Sequence, residues 1–247
     1  MPAPLKLPTR FLRLTVGPGF WWGLLSLGLV ITTLPAGEEP GTLSGLVRYR
    51  ARTESPWRFQ RYYVADSRTG ALAEAVVALT PKIPSDSISV RKPETKVMDQ
   101  ENFQFVPETI AIQVGDTVRF TNSDESLHNV MLSKGRDAFN VNLAKGEVYA
   151  HEFKEATSPL RPHRLGCVYH GSMQAWVFVL PNPFFAVTGK DGTFRLQNLP
   201  PGTYQLLVHH PAGRYALSQE IEIIGGTHLK QTLELSPDQT IGKLITR

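Results

Sequence analysis

Phe105-Val106-Pro107-Glu108-Thr109-Ile110-Ala111-Ile112-Gln113-Val114-Gly115-Asp116-Thr117-Val118-Arg119-Phe120-Thr121-Asn122 sets a largely apolar run against an alternating one across a glycine–aspartate break. Two extended segments joined by a turn are the simplest reading, because β-branched and aromatic residues favour strands and Gly-Asp favours a reversal. The same texture recurs along the chain. Short apolar or alternating runs stand at 43–49, 73–79, 103–114, 117–120, 130–132, 148–153, 175–180 and 204–208. Gly, Pro, Asp and Asn separate them at intervals typical of a sandwich. Polar, proline-bearing stretches at 81–96 and 155–162 read as loops. Asp191-Gly192, between Phe184-Phe185-Ala186-Val187 and Phe194-Arg195-Leu196, predicts a hairpin. No long amphipathic helix, internal repeat or low-complexity tract is visible. An all-β protein is expected.

The charge is unevenly placed. Residues 1–37 hold Lys6, Arg10 and Arg13 and no acid, which leaves 23 basic against 22 acidic side chains in the rest. The basic pI of about 9.2 therefore belongs mostly to that segment, and a phosphate-backbone partner is not expected. The three charges precede Phe20-Trp21-Trp22-Gly23-Leu24-Leu25-Ser26-Leu27-Gly28-Leu29-Val30-Ile31 and the small pair Ala36-Gly37, the order of an export signal. From 14 to 37 no charge occurs, enough to span a bilayer as an uncleaved anchor, so cleavage and anchoring both remain open. Membrane contact is expected only through residues 14–37, and the body should lie in the periplasm or outside the cell.

In that compartment a lone cysteine, Cys167, has no partner with which to staple the fold. By itself it reads as a small buried hydrophobe. Its neighbours change the reading. Cys167-Val168-Tyr169-His170-Gly171-Ser172-Met173 offers a thiolate, an imidazole and a thioether at intervals of three, and His128 stands 39 residues upstream in Leu127-His128-Asn129-Val130. Copper cycling between two oxidation states needs donors tolerable to both, and two imidazoles, one thiolate and a weak axial thioether meet that need. Zinc more often takes several cysteines or histidines. A binuclear copper centre would need a second cysteine.

At these residues the chain resembles the plastocyanin, pseudoazurin and amicyanin group of blue copper proteins. The resemblance runs over roughly residues 97–181, through the 105–122 lead-in, His128-Asn129-Val130 and the short C-x-x-H-x-x-M loop, which is closest to the amicyanin form. It implies a cupredoxin Greek-key β-sandwich at 97–182 holding one mononuclear copper ion. His128, Cys167 and His170 would be equatorial ligands and Met173 axial. Asn129 would bond across to the cysteine loop as an outer support. His170 would be the electron exit, within an apolar collar of Gly171, Leu127 and Met131. The segment 156–166 is longer and richer in proline and arginine than the group's usual form.

A second resemblance lies on either side. Asp191-Gly192-Thr193-Phe194 followed by Leu199-Pro200-Pro201-Gly202-Thr203-Tyr204 is similar to the carboxypeptidase regulatory-like family of small Ig-like sandwiches. That family's opening features stand upstream, at Gly45-Leu46-Val47 and Leu72-Ala73-Glu74-Ala75-Val76. The expected layout is a discontinuous Ig-like β-sandwich at 41–96 and 183–236 with the copper module inserted, an N-terminal signal or anchor at 1–37 and a C-terminal tail at 237–247. Two sandwiches in tandem is the competing layout.

The expected function is an exported carrier of single electrons between a protein donor and a protein acceptor. Copper capture or delivery is one alternative. An adhesion or polysaccharide-associated module with an incidental copper loop is the other. No Ser–His–Asp set, paired carboxylates, phosphate loop or second histidine motif suggests an enzyme. His151, His163, His209, His210 and His228 read as surface or loop residues, His163 being the one to watch for its nearness to Cys167. Met98 and Met131 read as packing residues, and residues 57–63 as a hairpin edge or a docking patch.

Overall fold

The computed structural model describes residues 39–52, 63–64, 68–83 and 91–242. The signal or anchor at 1–37, most of the aromatic–basic stretch at 57–63 and the last five residues of the tail lie outside them. Among the described residues no helix is long and apolar enough to cross a membrane.

The protein is all-β. In chain order the strands are β1 (Gly41–Tyr49), β2 (Val76–Pro81), β3 (Thr95–Glu101), β4 (Gln104–Val106), β5 (Thr109–Gln113), β6 (Thr117–Thr121), β7 (His128–Leu132) and β8 (Phe139–Leu143). They continue as β9 (Val148–Glu152), β10 (His163–Gly166), β11 (Gln174–Leu180), β12 (Phe185–Val187), β13 (Thr193–Leu199), β14 (Gly202–His210), β15 (Tyr215–Ile223) and β16 (His228–Leu235). Strands β3 to β11 form one sandwich, from sheets of order β5-β11-β10-β7-β8 and β4-β3-β6-β9. Strands β1, β2 and β12 to β16 form the other, from sheets of order β13-β1-β16 and β12-β2-β14-β15.

Each sandwich has its own core. Met98, Phe105, Ile112, Val118, Phe120, Val130, Leu165, Val177 and Val179 fill the first; Leu43, Val47, Leu72, Leu79, Leu199, Leu206, Val208 and Leu235 are among those filling the second. A third cluster joins them. Val76 and Ala78 of β2 meet Ala111 of β5 and Phe178 and Leu180 of β11. This explains why 73–79 and 175–180 are continuous apolar runs. Ala75, Val77 and Leu79 face one core while Val76 and Ala78 face the seam, so both faces of the strand are covered. Strand β11 does the same, with Ala175, Val177 and Val179 inward and Phe178 and Leu180 outward. Polar ties cross the seam as well: Thr109 N–H donates to Glu74 Oε2 at 2.5 Å and Tyr63 Oη–H to Glu108.

Three expectations need correction. Asp191-Gly192 does not close a hairpin, because β12 pairs with β2 and β13 with β1, in different sheets. Gly192 takes φ +73° and its carbonyl accepts from Val47 N–H at 2.8 Å, so β1 captures the turn and makes it a corner. Thr95–Glu101 is a strand although its first two residues were read as loop; its first three residues are exposed, so no apolar alternation marks where it starts. His209 and His210 are not on the surface. At the end of β14, 1% and 0% exposed, His209 faces the seam beside Phe178 and His210 turns into its own sandwich beside Tyr63. One glycine is demanded by packing: a Cβ on Gly45 would sit 1.8 Å from the Gln231 carbonyl oxygen, where β1 and β16 run side by side.

Candidate metal centre

The copper-type residues meet at one end of the first sandwich. His128 opens β7, and the loop between β10 and β11 carries Cys167 and His170. One donor atom from each of His128, Cys167 and His170 lies within 4.8 Å of the other two. The two Nδ1 atoms are 3.1 Å apart, and Cys167 Sγ is 3.6 Å from His170 Nδ1. His128 and Cys167 are buried, while His170 is half-buried and reaches toward the surface. Met173 is 1% exposed and shares the core cluster of Cys167. Its backbone closes the loop, donating to the His170 carbonyl at 2.9 Å and accepting from Cys167 N–H at 3.3 Å.

The surroundings hold these donors still. Asn129 N–H points at Cys167 Sγ from 3.4 Å, and Val168 N–H donates to Asn129 Oδ1 at 3.4 Å. The same side chain donates from Nδ2 to Asn140 Oδ1 at 2.7 Å, Val141 O at 3.1 Å and Asn142 Oδ1 at 3.0 Å. One asparagine thus ties the cysteine loop to β8, as an outer support of a metal site should.

Sequence reasoning missed two residues. Asp124 Oδ2 lies 2.7 Å from His128 Nε2. A carboxylate only accepts, so the imidazole proton sits on Nε2 and the Nδ1 lone pair faces the site. The same carboxylate accepts Asn102 N–H at 2.7 Å and Phe103 N–H at 2.9 Å. Those two residues form the tight turn between β3 and β4, with φ of +53° and +58°. Burial pushes the Asp124 carboxyl up, but the bonds from Phe103, His128 and Asn102 outweigh it and hold it below the usual carboxylate range. Phe103 is held edge-on to both imidazoles, with ring centroids 5.4 Å from His128 and 4.9 Å from His170. A phenylalanine with positive φ is uncommon, and here the clasp of Asp124 fixes it. Phe103, Leu127, Val168 and Tyr169, each a ligand's ring contact or close to a ligand in the chain, are exposed. Of the expected collar, Leu127 and Gly171 are exposed, whereas Met131 lies half-buried along β7 and pairs with Gly166.

An outer partner of a ligating histidine typically supports about 10- to 100-fold in metal affinity. Asp124→Ala is expected to weaken copper binding by a factor in that range, read by competition with a chelator of known affinity. An unchanged affinity would mean that the clasp does not orient His128.

The arrangement is that of a cupredoxin sandwich with a copper donor set at one pole. Residues 92–174 match the sequence profile of the copper binding proteins of the plastocyanin/azurin family. Similar solved structures include amicyanin from Paracoccus versutus, at 25% identity over 41% of this chain and 97% of that one, with a TM-score of 0.30. A reduced amicyanin variant matches at 23% identity over 42% and 97%, with a TM-score of 0.32. A purple cupredoxin from Nitrosopumilus maritimus matches at 23% over 34% and 97%, with a TM-score of 0.29. No curated protein matches the chain. The match of 92–174 and the two-imidazole, one-thiolate geometry agree on the ion: copper is the cofactor of this sandwich.

Proposed function

We propose that this protein is an exported one-copper electron carrier. His128, Cys167 and His170 are its equatorial ligands, Met173 its axial ligand and Asn129 the support of the cysteine loop. The observation that carries the reading is the convergence of two Nδ1 atoms and Sγ at one pole, each held by its own backbone or side-chain tie. Copper supplies a reversible one-electron couple. What the chain supplies is stiffness: Asp124 fixes one imidazole, Asn129 the cysteine loop, and the Met173 backbone the loop's closure, so both oxidation states meet nearly one geometry.

His170, half-buried where His128 is fully buried, is the exit, with the exposed rings of Phe103 and Tyr169 edge-on to it and Leu127 and Val168 exposed next to His128 and Cys167 in the chain. A small apolar contact of this kind suits a protein donor and acceptor that dock briefly and part. Export rests on the basic and apolar order of residues 1–37.

The layout belongs to the same reading. The copper module is an insertion between β2 and β12 of a carboxypeptidase regulatory-like host, and what supports this is that, among the described strands, β1 and β2 pair with strands after 184. The L-P-P-G-T-Y segment closes on itself there, with Tyr204 Oη–H donating to Pro200 O at 2.7 Å.

Voltammetry of the copper-loaded protein tests the function. A carrier gives one reversible one-electron wave that persists over repeated cycles. A protein that keeps only Cu(I) and releases the ion on oxidation is a copper-handling protein, and the electron-carrier reading is then lost.

A further inference from the structure

A second cluster of metal donors lies in the first sandwich, away from the cysteine loop. Asp137, in the loop between β7 and β8, is 6% exposed. His151 of β9 and His163 of β10 turn their Nε2 atoms toward it: His151 Nε2 is 3.7 Å from Asp137 Oδ1 and His163 Nε2 is 3.9 Å from Asp137 Oδ2. These gaps are too long for hydrogen bonds. Both Nε2 atoms are buried and have no hydrogen-bond partner. A buried polar atom left unpaired costs about 1–3 kcal/mol, so two of them facing one carboxylate call for a group between them.

The second nitrogen of His151 narrows the choice. Tyr149 Oη lies 3.2 Å from His151 Nδ1. If that Nδ1 carries the proton and donates to the hydroxyl, Nε2 presents a bare lone pair to the carboxylate, and the two repel. A cation between them reverses the sign. A metal-ligating imidazole whose other nitrogen donates to an outer acceptor is the usual pattern. Burial holds both imidazoles below the ordinary histidine range, which keeps them in the neutral form that ligates. The walls are apolar, with Phe139, Phe153 and His151 in ring contact, and Gly135 leaves room beside His163, whose Cε1 is 3.9 Å from where a Cβ would lie.

We propose that Asp137, His151 and His163 form a second metal site, for a zinc-class divalent ion held by two imidazoles and one carboxylate with a place left for water. Zinc–ligand bonds of about 2.0–2.2 Å at tetrahedral angles put neighbouring donors about 3.3 Å apart. The two histidine–carboxylate gaps exceed this by about half an ångström, so the carboxylate and both rings must move to take the ion. Three protein donors leave one coordination position for water, unlike the closed four-ligand pattern of structural zinc. His163 stands four residues before Cys167 along an extended strand, which sets their Cα atoms about 13 Å apart and keeps the two sites separate. The site does not depend on the electron-carrier reading.

The test is calorimetric titration with zinc of two proteins, the full copper-loaded chain and its Cys167→Ser variant. One zinc per chain is expected to bind in both. Its affinity should fall at least tenfold in His151→Gln and again in His163→Gln, and zinc should raise the thermal midpoint of the parent but not of either variant. No zinc uptake by folded parent protein overturns the site, because water alone then fills the gap. Equal affinity in parent and both variants also overturns it, by placing the ion on surface histidines. A zinc equivalent that persists in a protein lacking a reversible copper wave would support this site while sinking the electron-carrier reading.

Discussion

Between pH 6.5 and pH 4 the folded protein is expected to lose on the order of 5 kcal/mol of stability through two adjacent histidines. Burial drives His209 down to about 4, against a raising bond to the Pro159 carbonyl at 2.9 Å. Burial and the neighbouring His209 drive His210 down to about 3. In the unfolded chain both titrate near the ordinary histidine value, so below it the unfolded state binds more protons than the folded one. Each histidine then removes about 1.4 kcal/mol per pH unit as pH falls, until its folded value is reached. His151 and His163, also held low, act in the same direction. Glu74 and Glu108, both raised by burial, act oppositely: they favour the fold at low pH and lose that contribution as pH rises through the carboxylate range. Urea unfolding at a series of pH values reads the slope. His209→Gln keeps a donor for the Pro159 carbonyl and removes one titration, so the slope should flatten by about 1.4 kcal/mol per unit. A profile that is flat from pH 6.5 to 4 would contradict the burial of this pair.

Phe178→Ala should be the most damaging single substitution at the seam, at about 3–5 kcal/mol. The ring is fully buried, and its neighbours are Val76 and Ala78 of β2, Ala111 of β5 and Leu180. All but the last come from other strands, and two come from the other sandwich, so no single element can collapse into the hole. The ring also stands edge-on to His209, with centroids 5.2 Å apart. Water entering the cavity would solvate that imidazole, raise its folded value and flatten the acid slope. Stability and pH dependence should therefore change together, and the pair Phe178→Ala with His209→Gln should be less than additive in acid. Full additivity there would mean that the ring does not shield the histidine.

How much of this was legible depends on what restricts a residue's identity. The Cys167–Met173 loop and His128 could be read because an ion that changes charge admits few donor types, and a loop joining two strands admits few spacings. The apolar runs at 73–79 and 175–180 could be read as strands. Their lack of alternation already carried the information that both faces are covered, although not by what. Asp124 stood in the open, four residues before His128, but an aspartate in a polar loop looks like turn chemistry until the fold turns it onto an imidazole and two backbone N–H groups. Phe103 was hidden further, since it reaches the ligands from a hairpin 25 residues upstream of His128. The two misplaced histidines have different causes. His209 is buried by the other sandwich, at Phe178 and Pro159, and docking between sandwiches leaves no periodic mark on the strand that receives it; His210 closes the end of its own sandwich against Tyr63, where an imidazole stands in place of an apolar residue. Asp191-Gly192 has the composition of a hairpin turn, yet the carbonyl of Gly192 is claimed by Val47 of β1.

The proposed function stands on two imidazoles, the lone thiolate and a thioether binding one copper ion together. Visible absorption and EPR of the protein loaded with one equivalent of Cu(II), alongside Cys167→Ser, test it most directly. An intense thiolate-to-copper band with narrow copper hyperfine splitting is expected, both absent from the variant. A pale, ordinary Cu(II) spectrum that is the same in both proteins would contradict it.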